Sequence, residues 1–314
     1  MGWLLAISGV VLTGCAWQHE PDPIYFSTKD WHYRGVRGYV LSSEHYVIHS
    51  TYTRAPFIFA LPGFLETCYD AYSRLLPGQP KSDGLMKTYL FKNRREWVRF
   101  TEEFAPVRAA TYKHIRRGGY STRGVTVSQY SRRASTLSTL AHEGLHQYLE
   151  VTGRHRIPAW INEGLACYFE AFDLVDERPV FNHAQNALRR PALRELIATD
   201  ALFPLSEVLS TNAGVVIHLQ SRQVQYTYAQ WWSLVLYLLD DSEGEPYRAG
   251  FRKLLRELGS DVMRRKINDY ISAYTEGQLS RGVAIFRVYI TEDLHTFESK
   301  YADYLQRLLK LTGS

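Results

Sequence analysis

Two histidines four residues apart flank a carboxylate in the segment His142-Glu143-Gly144-Leu145-His146. On a helix, side chains at i and i+4 lie one above the other, so both imidazoles can reach one cation at about 2.0–2.1 Å. Glu143 lies roughly 100° around the helix from His142, beside the pair and not stacked on it. A divalent zinc brings a bound water towards a pKa of about 7, and a carboxylate within reach can complete the proton transfer and later protonate a leaving amine. The spacing therefore leads us to expect Zn2+-dependent hydrolysis, with His142 and His146 as ligands and Glu143 as base and acid.

A catalytic zinc takes three protein ligands and keeps one position open, so a third must come from downstream. Glu163, in Asn162-Glu163-Gly164 behind Pro158-Ala159-Trp160-Ile161, is the candidate. His155 is an alternative, but Gly153-Arg154-His155-Arg156 reads as a solvated basic turn. The metzincin continuation would need glycine and histidine where Leu149 and Thr152 stand, which excludes it.

Both segments must be helices for this geometry to arise. Leu137, Leu140, Ala141, Leu145, Tyr148 and Leu149 recur at three- and four-residue intervals, predicting a helix from Ser135 to about Val151 that stops at Thr152-Gly153. Pro158 leads into a second helix over Asn162–Glu170, with Ile161, Leu165, Tyr168 and Phe169 for packing. Gly144 and Gly164 each cost a helix about 1 kcal/mol relative to alanine. Close backbone approach around the metal or substrate is the expected compensation.

HEGLH followed by NEGLA resembles the gluzincin metallopeptidases, the class that contains thermolysin and the membrane-alanyl-type aminopeptidases. Within it the chain is most similar to the small bacterial peptidase-MA-like proteins, over about Gly118 to Phe169. The resemblance implies an α+β fold: a small mixed sheet with an active-site helix pair, then a mainly helical C-terminal part forming a cleft wall. It also implies zinc ligands His142, His146 and Glu163, a catalytic Glu143, and a peptide or protein substrate. A strand at Val125–Ser128 would form the cleft edge, where an extended peptide can pair through its main chain. Cys167 departs from the pattern, standing one turn after Glu163 where thermolysin-like enzymes carry an acidic partner. The group that orients His142 is thus unidentified. No GxMEN-like motif is present, which favours an endopeptidase over an aminopeptidase. His218, Tyr226 and Tyr228 are candidate donors to a developing oxyanion, with Tyr228 preferred because it opens the helix carrying Trp231. The competing expectations are a catalytically silent envelope lipoprotein that uses the same fold for binding or assembly, and an amidase acting on a non-protein envelope substrate.

The N-terminus carries a second pattern. The apolar run Leu4 to Leu12 ends in Leu12-Thr13-Gly14-Cys15, which resembles a lipobox. It is too short to span a bilayer, which takes about 20 residues. The resemblance implies a signal peptide over 1–14, a lipid anchor on Cys15 and a tether over 15–30. Ala16 after the cysteine resembles lipoproteins sent to a bacterial outer membrane. An α+β region over 31–186 and a mainly helical region over 187–314 follow. With the anchor cysteine set aside, Cys68 and Cys167 either pair in an oxidising compartment or stay buried thiols. The apolar helical patterns around both favour thiols.

With 45% hydrophobic residues the chain can bury a sizeable core. Its net charge of +5 is scattered over Arg116-Arg117, Arg132-Arg133, Arg189-Arg190 and Arg264-Arg265-Lys266, which read as solvated faces. No motif supports nucleic-acid binding. Strands are expected at Val36–Leu41, His45–Thr51 and Met86–Phe91, and helices at Pro56–Leu76 and Arg94–Phe104. Further helices are expected at Tyr228–Leu239, Tyr247–Leu258, Val262–Tyr274 and Leu294–Leu311.

Overall fold

Alternation of polar and apolar residues builds the first half of the chain into one mixed sheet. The computed structural model describes residues 24–78, 84–115, 118–216, 219–240, 242, 244–275 and 277–310. Its strands β1 (Ser27–Tyr33), β2 (Val36–Ser42), β3 (Tyr46–Ser50), β4 (Met86–Phe91), β5 (Gly119–Thr122) and β6 (Val125–Gln129) lie in the order β1-β2-β3-β4-β6-β5. The pairs β3–β4 and β4–β6 are parallel, and β1–β2, β2–β3 and β5–β6 are antiparallel. The parallel steps need crossovers. The first contains α1 (Phe57–Leu75); the second contains α2 (Arg94–Phe104) and the short α3 (Ala109–Tyr112).

Leu41 and Ile48, cross-strand partners on one face, join the main core with Ile58, Leu61 and Leu65 of α1 and Leu140, Leu145 and Leu149 of α4 (Arg133–Val151). On the opposite face Phe91, Tyr120 and Val127 meet Trp97 of α2, whose indole N–H donates to the Val127 carbonyl at 3.2 Å. The sheet is thus a layer between α1/α4 and α2.

After α4 come α5 (Ala159–Tyr168) and the hairpin of β7 (Phe172–Val175) and β8 (Arg178–Phe181). The remainder is helical: α6 (Arg190–Ala198), α7 (Leu205–Ser210), α8 (Ala213–Val216), α9 (Ser221–Leu239), α10 (Glu245–Glu257), α11 (Asp261–Ala273), α12 (Arg281–Tyr289) and α13 (Leu294–Lys310). The α+β class with a mainly helical C-terminal part is as expected.

Several local expectations change. Strand β1 begins at Ser27, so residues 27–30 of the expected tether belong to the sheet. Ser27–Asp30 are all exposed, which hides the alternation that marks a strand. Strand β6 is interior, between β4 and β5, and the edge is β5. Helix α5 starts before Asn162 and ends before Glu170. Cys68 and Cys167 are both buried free thiols. Among the described residues no helix is long and apolar enough to cross a membrane. The expected signal peptide over 1–14 and the anchor at Cys15 lie outside the described residues.

Gly164 has its compensation in helix packing. A Cβ there would stand 2.6 Å from the Trp231 carbonyl oxygen and 2.6 Å from Val235 Cγ2, both on α9. Only glycine lets α5 and α9 approach this closely. Gly164→Ala should therefore cost roughly 1–3 kcal/mol through overpacking. The measurement is the urea midpoint at constant m-value, and an unchanged midpoint would show that the spacing of α5 and α9 is adjustable.

Candidate metal centre

Helix α4 is pinned from two sides before any ligand is considered. From α1, the Tyr72 hydroxyl donates to the Ala141 carbonyl at 2.6 Å, while the Tyr148 hydroxyl of α4 donates to the Leu76 carbonyl at 2.8 Å. From the sheet, Gln147 Nε2 donates to the carbonyls of Lys87 at 2.9 Å and Gly124 at 2.7 Å. A Cβ on Gly144 would stand 3.0 Å from the Tyr72 oxygen, so this glycine admits the tyrosine that fixes the helix. The face left over carries His142 and His146 towards α5.

There the three expected ligands meet. His142 Nε2 and His146 Nε2 are 3.2 Å apart, and Glu163 Oε2 lies 3.4 Å from each. A tetrahedral cation with ligands about 2.0–2.2 Å away holds any two donors roughly 3.3–3.6 Å apart. The triangle has the size of one face of such a tetrahedron, and the fourth vertex is left to water or substrate.

The imidazoles are oriented from behind. His142 Nδ1 is 2.9 Å from Glu170 Oε1, and His146 Nδ1 is 3.2 Å from Asn162 Oδ1. Burial tends to raise the Glu170 carboxyl, but the charge of Arg189 and the hydrogen bond from His142 bring it down to about 2. As an ionised carboxylate Glu170 can only accept, so His142 carries a proton on Nδ1 and turns Nε2 into the triangle. Glu170 is held in turn by Arg189, whose Nε donates to Oε2 at 2.8 Å and whose second nitrogen donates to Oε1. Asn186 Nδ2 donates to Oε2 at 3.0 Å and to the Cys167 carbonyl at 2.9 Å.

His142, Cys167 and Glu170 form a second group with metal-ligand atoms within 4.8 Å of one another. Arg189 decides against it. A guanidinium engaging both oxygens of Glu170 puts positive charge where that cation would sit. The triangle of His142, His146 and Glu163 carries no such cation among its side chains.

Charge balance points the same way. Glu143, Glu163, Glu170 and Arg189 are each 6–9% exposed, so the charges of the centre must balance one another. Burial lowers His142, but its hydrogen bonds to Cys167, Glu163 and Glu170 outweigh that and raise it well above the ordinary range; burial likewise lowers His146, and Glu163 more than offsets it. Burial pushes Glu163 up, yet His146 and His142 outweigh it and hold the group well below the usual carboxylate range. Burial raises Glu143, against the pull of His142 and His146. A divalent cation held by neutral imidazoles would replace the two protons that they otherwise take up.

Tyr228 of α9 joins this cluster. Its ring centroid is 6.4 Å from that of His142, and the Arg189 guanidinium lies over its face at 5.0 Å. Burial, with Glu163 as the next cause, keeps its hydroxyl protonated well above the ordinary range. Tyr226 instead accepts a hydrogen bond from Arg222 at 2.6 Å, and His155 is exposed. His218 lies outside the described residues.

Glu170, Arg189 and Asn186 are the residues the sequence reading missed. Glu170 had a signal as an acidic residue seven positions after Glu163, within the expected helix Asn162–Glu170, although α5 itself ends at Tyr168. The expectation of a solvated Arg189-Arg190 is corrected: both are buried, Arg190 by donating to the Ala184 carbonyl at 2.9 Å.

Residues 136–250 match the model of a family described as "Protein of unknown function (DUF1570)". The match takes in every residue of the centre from His142 to Tyr228 and stops short of the six-stranded sheet. No curated protein matches the chain.

Metal binding can be dissected with two variants. Wild type should retain close to one divalent ion per chain after dialysis, and Glu163→Ala should lose it. Glu170→Ala should keep the site but weaken it about 10–100-fold. Equal retention by wild type and Glu163→Ala, measured by elemental analysis, would remove Glu163 from the ligand set.

Proposed function

We propose that the protein is a zinc-dependent peptidase of gluzincin type, acting as an endopeptidase on peptide or protein substrates. The observation that carries this reading is the donor triangle of His142, His146 and Glu163, with the buried Glu143 carboxylate next to His142 on the same helix. Two imidazole nitrogens and one carboxylate oxygen suit zinc among the common divalent ions. Bound there, zinc would supply Lewis acidity towards water and the peptide carbonyl.

The chain's own groups supply the rest of the chemistry. Glu143 accepts the proton of the attacking water and delivers it to the departing amine nitrogen. Its burial, which favours the protonated form, brings its basicity nearer to neutral pH, where a base and acid in turn is most effective. Glu170 and Asn162 keep the two imidazoles facing the triangle. The Tyr228 hydroxyl donates to the oxygen on which negative charge develops, in a site from which water is largely removed. Attachment to a bacterial envelope membrane, the outer membrane in the first instance, belongs to the same proposal and rests on Leu12-Thr13-Gly14-Cys15.

Glu143→Gln should bind zinc as wild type does and lose hydrolysis of a peptide library; turnover retained in a metal-clean assay would end this mechanism. Tyr228→Phe should lower kcat by roughly 10²–10³-fold with zinc content intact. Unchanged kcat would remove the tyrosine from the chemistry. For the anchor, Cys15→Ser should shift the protein from the membrane to the soluble fraction, and an unaltered distribution would reject lipidation at that residue.

A further inference from the structure

Three arginines of the described chain are nine-tenths buried or more: Arg154, Arg189 and Arg190. Arg154 donates to the Leu76 and Pro77 carbonyls and to Thr152, and Arg190 donates to the Ala184 and Leu308 carbonyls. These two tie loops and helix ends together. Arg189 differs in that its guanidinium meets the side chains of Glu170, Gln225 and Tyr228, drawn from both halves of the candidate centre.

One edge of its guanidinium engages the two oxygens of Glu170, which receives His142 Nδ1. Its remaining terminal nitrogen donates to Gln225 Oε1 on α9 at 3.2 Å, and its central carbon lies over the Tyr228 ring, 5.0 Å from the centroid, one turn further along that helix. The backbone of Arg189 is itself fixed, its N–H lying 3.2 Å from both the carbonyl oxygen and Oδ1 of Asn186.

We propose that Arg189 is a positioning residue that sets the ligand His142 and the Tyr228 hydroxyl in one frame, so that a single side chain governs both metal affinity and the placement of the tyrosine. The inference rests on the reading of the centre as a zinc peptidase site. It requires a planar cation with donors fixed on two edges that also lies over the Tyr228 ring. Lysine cannot replace it, being a point charge on a flexible stem.

The experiment compares full-length wild type with Arg189→Lys, Gln225→Ala, Tyr228→Phe and Arg189→Lys/Tyr228→Phe. Zinc affinity is read by competition with a chromophoric chelator, and ligand orientation by the visible spectrum of the cobalt-substituted protein. Arg189→Lys should bind zinc about 10–100-fold more weakly and alter the cobalt spectrum. At saturating zinc its kcat should fall to the level of Tyr228→Phe, and the double variant should fall no further. Gln225→Ala, an exposed substitution that spares Glu170, should leave zinc affinity within twofold and still reduce kcat. Wild-type affinity and spectrum in Arg189→Lys, or losses that multiply in the double variant, would overturn the proposal. If Arg189→Lys does not fold, Gln225→Ala decides, and an unchanged kcat there overturns the link to Tyr228. A wild type that binds zinc yet cleaves no peptide would sink the peptidase reading alone. The zinc affinities, the cobalt spectra and the crystallographic position of the Tyr228 ring in Gln225→Ala would then decide the role of Arg189.

Discussion

Placing three carboxylates, two imidazoles and a guanidinium around one point, away from water, is the constraint on which the rest of this structure depends. Each buried ion costs several kcal/mol unless its neighbours replace the lost solvation. Around Glu170 that replacement is complete, because Arg189, Asn186 and His142 saturate its two oxygens. Around Glu163 it is not: the oxygen that faces both imidazoles sits 3.4 Å from each nitrogen, longer than a good hydrogen bond and suited to sharing a cation. The two carboxylates thus differ in kind, one satisfied by protein and one turned towards a ligand.

Such an arrangement survives only on a stiff support. The protein holds α4 by polar locks at Ala141, Gln147 and Tyr148, so that neither rotation nor sliding of the helix can move His142 without breaking a buried hydrogen bond. Helix α5 is held differently, by the bare backbone of Gly164 against α9. The sheet acts on the centre indirectly, through the carbonyls of Lys87 and Gly124 and the core beneath α4. This division agrees with the extent of the family match, which runs from α4 into α10 and leaves the six-stranded sheet outside.

What could be read from the sequence follows the range of each interaction. His142, Glu143 and His146 declare themselves because helical periodicity alone brings i and i+4 together, and Glu163 follows through a short connection. The strand order was not legible: β6 enters between β4 and β5, a long-range pairing that leaves no local pattern, so Val125–Ser128 looked like the edge. Strand β1 was hidden by its solvated residues. Arg189 was hidden most completely, since a pair of adjacent arginines carries the same local signature on a surface as in a core. Its partners Glu170 and Gln225 are 19 and 36 residues away.

The thiol at Cys167 then has a structural account. With no acid one turn beyond Glu163, the carboxylate that orients His142 comes from Glu170, past the end of α5 at Tyr168. That is an unfavourable place for a negative charge, because the last carbonyls of a helix already present the negative end of its dipole. Two features offset it. Asn186 satisfies the terminal Cys167 carbonyl while donating to Glu170, and the Arg189 guanidinium neutralises the carboxylate directly. Moving the acid off the helix thus creates the need for a buried cation beside it. A buried guanidinium in turn needs its other donors and its faces covered, which Gln225 and Tyr228 of α9 provide. The contact between the helices that carry the candidate ligands and α9 therefore follows from where the orienting carboxylate sits.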